Sequence, residues 1–574
     1  MTTGTPRYGG TLRYYGPGGM DHVDPASAYY AMSHQIIRLF ARQLFSYPTA
    51  LDASALVPVP DVAARIPTVA NGGVSADGLR YTIGLRPGVF WDTAPHREVT
   101  AADFVRGFKR MGNPVAGAGA IAYYTSTIKG MAGYVEGYRA AFAGTRPTAA
   151  DLASYQNSHD IAGLRAVDGR TLVIELIRPA NDLLNLLAMT FVSAAPREYD
   201  DVVPDSPEFI RAVRSNGPYR LTGYLHGRSL AMERNPAWRQ DSDPLRHQYI
   251  DAIEVMVEQV SDDRVRKAID SGAADLSWGA AVASDERGPP DAGRHLGYAL
   301  NPYLVFNFRS PNERGAMANP LVRRAIGYAI DKTAVVKLFD GMDIGTVSQP
   351  ARTVIPPGNV GHRDYDPYPT PGDRGDPRMC RELLARAGYP DGLTLRAPYR
   401  DDAVHAEIAE AYAADLAKGG VTVRLAHIRS TDEYYRILQD PARAAAGEWD
   451  ITAAAWTPDW FGNNGRAFVQ PMLQSNFARG TSNYGDYRNP TVDRLIEEAL
   501  AAGDADRAGR LWHEVDRRVM ADVAIVPVAA CEPTIRHRTS SRVRNAVPLP
   551  QVDRWYDAAN LWLDPPDDPP TRPA

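Results

Sequence analysis

Glu448-Trp449-Asp450-Ile451-Thr452-Ala453-Ala454-Ala455-Trp456-Thr457-Pro458-Asp459-Trp460 is the stretch on which the chain is best organised. Its middle reads as a buried strand of small and β-branched residues. It ends in a turn that sets the carboxylate of Asp459 between the indoles of Trp456 and Trp460. Taking a carboxylate out of water is unfavourable unless a cation pairs with it. The partner is then an Arg of this chain or the ammonium of a ligand. The plainer reading is a solvated Thr-Pro-Asp turn, since Pro and Asp form turns for ordinary reasons. The stretch alone leaves both open.

The surrounding chain narrows the class. At 574 residues it is too long for one core, so two or three domains are expected. Its 44% apolar and 23% charged residues are those of an ordinary globular protein. A formal charge of −5 offers no basic footprint for nucleic acid. Only six of the 63 basic residues are Lys, which reads as genome composition and not as a site. Cys380 and Cys531 lie too far apart in sequence for a disulfide framework or a Cys-based metal site, and no metal or other cofactor is expected. The N-terminus lacks a basic region followed by an apolar core, and no window approaches the ~18 apolar residues of a membrane span. The expectation is a cytoplasmic protein, or one whose export signal is absent from this sequence.

Strand and helix signals interleave, which gives an α/β or α+β class. Gly9 to Tyr15 and Arg170 to Leu176 read as strands, as does the alternation around Tyr81. Thr100 with Asp103 predicts a capping box that opens a helix through Phe104 and Phe108. Asn319-Pro320 starts another helix, and 378–387, 404–418 and 490–501 are predicted helices, the last with Val492, Leu495, Ile496, Ala499 and Leu500 on one stripe. Residues 112–150 are locally ambiguous, and the run from Ser284 to Asp291 is the best linker candidate. Phosphate loops, nucleophile elbows and His-Glu-x-x-His pairs are absent from the sequence. His405 with Arg400, Asp401 and Asp402 reads first as a capped helix start. Nothing in the sequence argues for an enzyme.

Seven segments in order resemble one family over almost the whole chain. They are Gly9-Gly10-Thr11-Leu12 with Asp24-Pro25; Ser75 to Thr82; Leu85 to Trp91; Val99 to Val105; Asn216-Gly217-Pro218-Tyr219; Val322 to Asp331; and Tyr484 to Pro490. The family is the peptide-type (dipeptide/oligopeptide-binding, family 5) extracellular solute-binding proteins of ABC importers, including those that accompany clavulanic acid biosynthesis. The resemblance implies a two-lobed α/β periplasmic-binding-protein fold of type II, with an extra subdomain in the first lobe and a two-strand hinge. The boundaries it implies are 1–47 for the first part of lobe 1, 48–188 for the extra subdomain and 189–296 for the return to lobe 1. Lobe 2 follows at 297–530, and 531–574 rejoins lobe 1. Hinge crossings are expected near 284–294 and 524–528, and closure about them buries the ligand.

By the same resemblance, Asp459 takes a peptide's amino terminus and the backbone of Ala455 and Thr457 forms an edge for strand addition. Tyr29, Tyr30, Ala31 and Met32 form the opposite edge, Trp456 and Trp460 offer cation–π contact, and Tyr123, Tyr124 and Tyr434 line the pocket. Cys531 stands where an aromatic residue is usual, which suggests a roomier pocket, and Ala453 replaces a basic residue found in some oligopeptide binders. Arg400, His405 and Arg309 are the candidates for a ligand carboxylate. The expected partners are a short peptide or peptide-like ligand and the membrane permease of an ABC importer, with the receptor a monomer, cell-surface lipoprotein or periplasmic, and no nucleic acid. Relatives of this fold also bind oligosaccharides, nickel complexes or other solutes, and a pathway protein or enzyme on this fold is a further alternative.

Overall fold

The computed structural model describes residues 5–279, 282, 297–340, 347–400, 403–429, 431–475, 482–532, 537–552 and 554–565. The chain packs as two compact units, 1–292 with 535–574, and 293–534.

The first unit is built on a five-stranded sheet in the order Leu276–Ser277, Thr11–Gly16, Ala252–Val257, Ser229–Arg234, Tyr219–Leu225. The first three strands are parallel and the last two antiparallel. Alternation places Leu12, Tyr14, Ile253 and Val255 inside and leaves Met256 on the outer face. Arg80–Gly84, Thr171–Glu175 and Leu164–Ala166 make a separate antiparallel sheet. The helix Ala101–Arg110 packs near it, opened by the expected capping box of Thr100 and Asp103. Residues left ambiguous by sequence form the helices Ile121–Thr125 and Met131–Ala141.

Two buried ion networks stabilise this unit. Arg42 and Arg246 both bond Asp61 at 2.8 Å and also reach Asp243, and all four side chains have no exposed surface. Burial of four charges is tolerated because each has opposite-signed partners and hydrogen bonds. Arg38 pairs with Asp557 at 2.9 Å, tying a helix near the chain's start to its last described segment.

The second unit centres on the strand Ala299–Phe306. One side takes Ile525–Pro527 and Ala529–Glu532, the latter flanked by Val347–Pro350, and the other side takes Ile451–Trp456 antiparallel. Period-2 alternation divides the core. Leu300, Tyr303, Val305, Ala454 and Trp456 join one cluster with the helices Pro490–Leu500 and Ala505–Ala521. Leu304, Phe306 and Val526 join the other, with Pro320–Ala329, Pro377–Arg386 and Ala403–Lys418. The stripe Val492, Leu495, Ile496, Ala499 and Leu500 is buried as its spacing dictates. A parallel pair, Leu393–Arg400 with Val421–Ile428, lies beside the sheet. The expected crossing at 284–294 falls outside the described residues. At the second expected crossing, Ile525–Pro527 and Ala529–Glu532 are both strands of this unit's sheet.

Candidate functional site

Among the described residues, the Ile451–Trp456 strand pairs along one side only, with Ala299–Phe306. Its outer side is covered at its start. Asp450 N–H donates to the Arg396 carbonyl at 2.9 Å, and Thr452 Oγ1 donates to the Pro398 carbonyl at 2.7 Å. The covering strand ends at Arg400, and among the described residues no strand pairs with the outer edge beyond residue 454. Ala453 C=O points outward, where it accepts from the Tyr434 hydroxyl at 2.8 Å. Peptide groups alternate sides along a strand, so those of Ala455 face the same open side. Thr457 follows exposed, and Asp459 is half-buried in the bend after the strand.

The buried carboxylate that begins the stretch is Asp450, and hydrogen bonds, not a cation, satisfy it. Ser310 Oγ, Asn312 Nδ2 (3.1 Å) and Arg396 N (2.8 Å) all donate to it. The indoles flanking Asp459 are core residues. Trp456 donates to the Ala467 carbonyl at 2.7 Å, and Trp460, only 1% exposed, donates to the Asn463 carbonyl at 2.8 Å. At 1% exposure Trp460 presents almost no surface for the expected cation–π contact.

Arg400, His405 and Tyr434 converge beside this edge. The Arg400 guanidinium contacts the His405 ring through Nη2 and lies 5.9 and 5.6 Å from the ring centres of Tyr434 and Tyr435. Tyr435 stands 6.1 Å from Tyr484. Burial pushes the phenol pKa values of Tyr303, Tyr434 and Tyr484 up, which keeps them neutral donors. The sequence reading missed Tyr303, Tyr435 and Tyr484. The adjacent Tyr434-Tyr435 pair was the one available signal, and the helix that carries it runs Thr431–Gln439.

Other expected residues lie elsewhere. Arg309 is engaged by Asp486. Cys531 sits in the second core cluster, not with Trp456 and Tyr434, and its thiol donates to the Asn301 carbonyl at 3.0 Å. It fills core space, which corrects the reading of a roomier pocket at that position. Within the first unit, Ala31 and Met32 open the helix Ala31–Phe40, so the expected edge at 29–32 is a helix start. The amides of Tyr29 and Tyr30 are engaged by Asp21 at 2.7 and 3.2 Å, although both rings are exposed. Tyr124 is a core residue that donates to the Leu186 carbonyl at 2.9 Å, stacked edge-on against Phe108 and Phe191. Among the described residues, no group of three or more His, Cys, Asp or Glu could hold a metal ion, and no helix is long and apolar enough to cross a membrane.

The chain is thus an α/β protein of two compact units, each built on its own sheet. The pattern of the bacterial extracellular solute-binding proteins, family 5 (middle region), matches residues 57–477, and the chain belongs to that family. It is 25% identical over 473 residues to the periplasmic oligopeptide-binding protein OppA of Salmonella typhimurium, covering 80% of this chain and 78% of that one. It is 27% identical over 480 residues to heme-binding protein A of Haemophilus influenzae, covering 79% and 77%. The solved structure of clavulanic acid biosynthesis oligopeptide binding protein 2 is similar at a TM-score of 0.80 and 24% identity, covering 97% of this chain and 96% of that one.

Proposed function

We propose that this protein captures short peptides or peptide-like cationic solutes and hands them to the membrane permease of an ABC importer. It works outside the cytoplasmic membrane, as a monomer, and releases its ligand unchanged. The observation that carries this reading is the outer edge at Ala455 and Thr457, which no strand among the described residues pairs with, followed by the half-buried Asp459. A peptide adds to such an edge through its main chain, which accommodates many side chains at similar affinity. Asp459 then takes the ammonium, and Arg400, beside His405, offers positive charge toward the other end. Kinship with an oligopeptide-binding protein supports the same ligand class. The extra subdomain of the first lobe is assigned to 48–188.

The test is native mass spectrometry of the purified protein, followed by thermal shift against peptide pools, free arginine, sugars and haem. Ligand at ~100 times its dissociation constant stabilises by about 2.7 kcal/mol, which is readily measured. Peptides are expected to raise the melting temperature. A shift by sugars or haem with none by peptides refutes the reading, and conversion of a bound peptide to products refutes the receptor role.

A further inference from the structure

Resting on the peptide reading above, we propose that Tyr434 is a length gauge that restricts the ligand to two or three residues. A strand added to Ile451–Trp456 needs outward-facing peptide groups at every second residue. Counting back from the Asp459 bend, those positions are Thr457, Ala455 and Ala453. The third is closed. Its carbonyl accepts from the Tyr434 hydroxyl at 2.8 Å, and the same hydroxyl lies 2.8 Å from Thr452 Oγ1. Tyr434 is 1% exposed and held edge-on by Tyr435 at 5.2 Å, so it is built into the wall and does not swing aside as a surface side chain would.

Past Ala453 the route is blocked by more than one bond. The Leu393–Arg400 strand already occupies the outer side, with Asp450 on Arg396 and Thr452 on Pro398. Arg400 ends that strand at the closed end, and its Nε is buried with no hydrogen-bond partner among the described residues. The run from Ala455 to Asp459 is five residues, four steps that span up to about 13 Å at about 3.3 Å per step. An extended dipeptide or tripeptide fills that length with its amine at Asp459. A longer peptide in the same register meets Tyr434.

The experiment is isothermal titration calorimetry of di-, tri-, tetra- and pentaalanine against the wild-type protein and Tyr434→Phe. Wild type is expected to bind the two short peptides at least tenfold more tightly than pentaalanine. The variant, which frees the Ala453 carbonyl and keeps the ring, is expected to narrow the gap between tri- and tetraalanine at least threefold, while pentaalanine still meets the Leu393–Arg400 strand. Equal affinity of wild type for tri- and pentaalanine overturns the gauge without recourse to any variant, as does an unchanged ratio in Tyr434→Phe. Wild type that binds no peptide of any length fails differently, since it removes the peptide reading itself.

Discussion

Replacing Asp459 by Asn retains the shape of the side chain and removes its charge, which isolates what the carboxylate does for a ligand amine. A hydrogen bond to a charged group contributes about 1.5–3 kcal/mol. Asp459 is half-buried, so water screens part of this, and the lower half of the range applies. That corresponds to roughly 10- to 30-fold in affinity, at about 1.4 kcal/mol per decade. The assay is a cycle: calorimetry of trialanine and its N-acetyl form, each against wild type and Asp459→Asn. Acetylation is expected to weaken binding to wild type by roughly 10- to 30-fold. In the variant it should weaken binding less than about threefold, because the ammonium has already lost its partner. If both proteins lose the same factor, the amine is held elsewhere and the assignment of Asp459 is wrong, whatever the absolute affinities.

Three further outcomes follow from other parts of the molecule. Ala455→Pro deletes the outward N–H of the edge, and Pro is tolerated on edge strands, so peptide affinity should fall about three- to tenfold while the fold persists; unchanged affinity would remove strand addition from the account. Asp61→Asn leaves Arg42 and Arg246 short of charge in a site with no exposed surface, which should destabilise by about 3–5 kcal/mol; a urea midpoint equal to that of wild type would show these charges to be hydrated. His537 is 2% exposed, its ring nitrogens lack partners among the described residues, and burial lowers its pKa to about 3. The folded state therefore sheds a proton that the unfolded chain holds below 6.5, so stability is full above that pH and declines as pH falls toward 3. His537→Phe keeps the stack on Trp555 and should flatten melting temperature against pH by up to one proton; identical slopes in calorimetry from pH 4 to 7 would contradict this.

Local signals in the sequence were dependable where one short segment decides the outcome. The capping box at Thr100 and Asp103 forms, and the five-residue stripe from Val492 to Leu500 is buried. The stretch from Ile451 to Trp456 is a strand followed by a bend at Asp459. What sequence did not disclose depends on distant partners. Leu393–Arg400 contains Pro398, which argues against a strand, yet it pairs in parallel with Val421–Ile428 across an intervening helix. Which half of the Ile451–Trp456 edge stays open depends on where that neighbour ends. The role of Tyr434 depends on a helix that returns its hydroxyl to Ala453, a contact invisible to periodicity. Tyr29 to Met32 shows the reverse error, since family expectation placed an edge where local spacing already pointed to a helix.

The Arg38–Asp557 pair also dictates an order of events during synthesis. The two residues lie 519 positions apart, and both are buried when joined. Until the ribosome has delivered the last few dozen residues, Arg38 has no carboxylate to meet, and a buried lone guanidinium is strongly unfavourable. The second unit, by contrast, is one unbroken run of chain from 293 to 534. The half that emerges first is thus the half that finishes last, since its packing waits for Asp557.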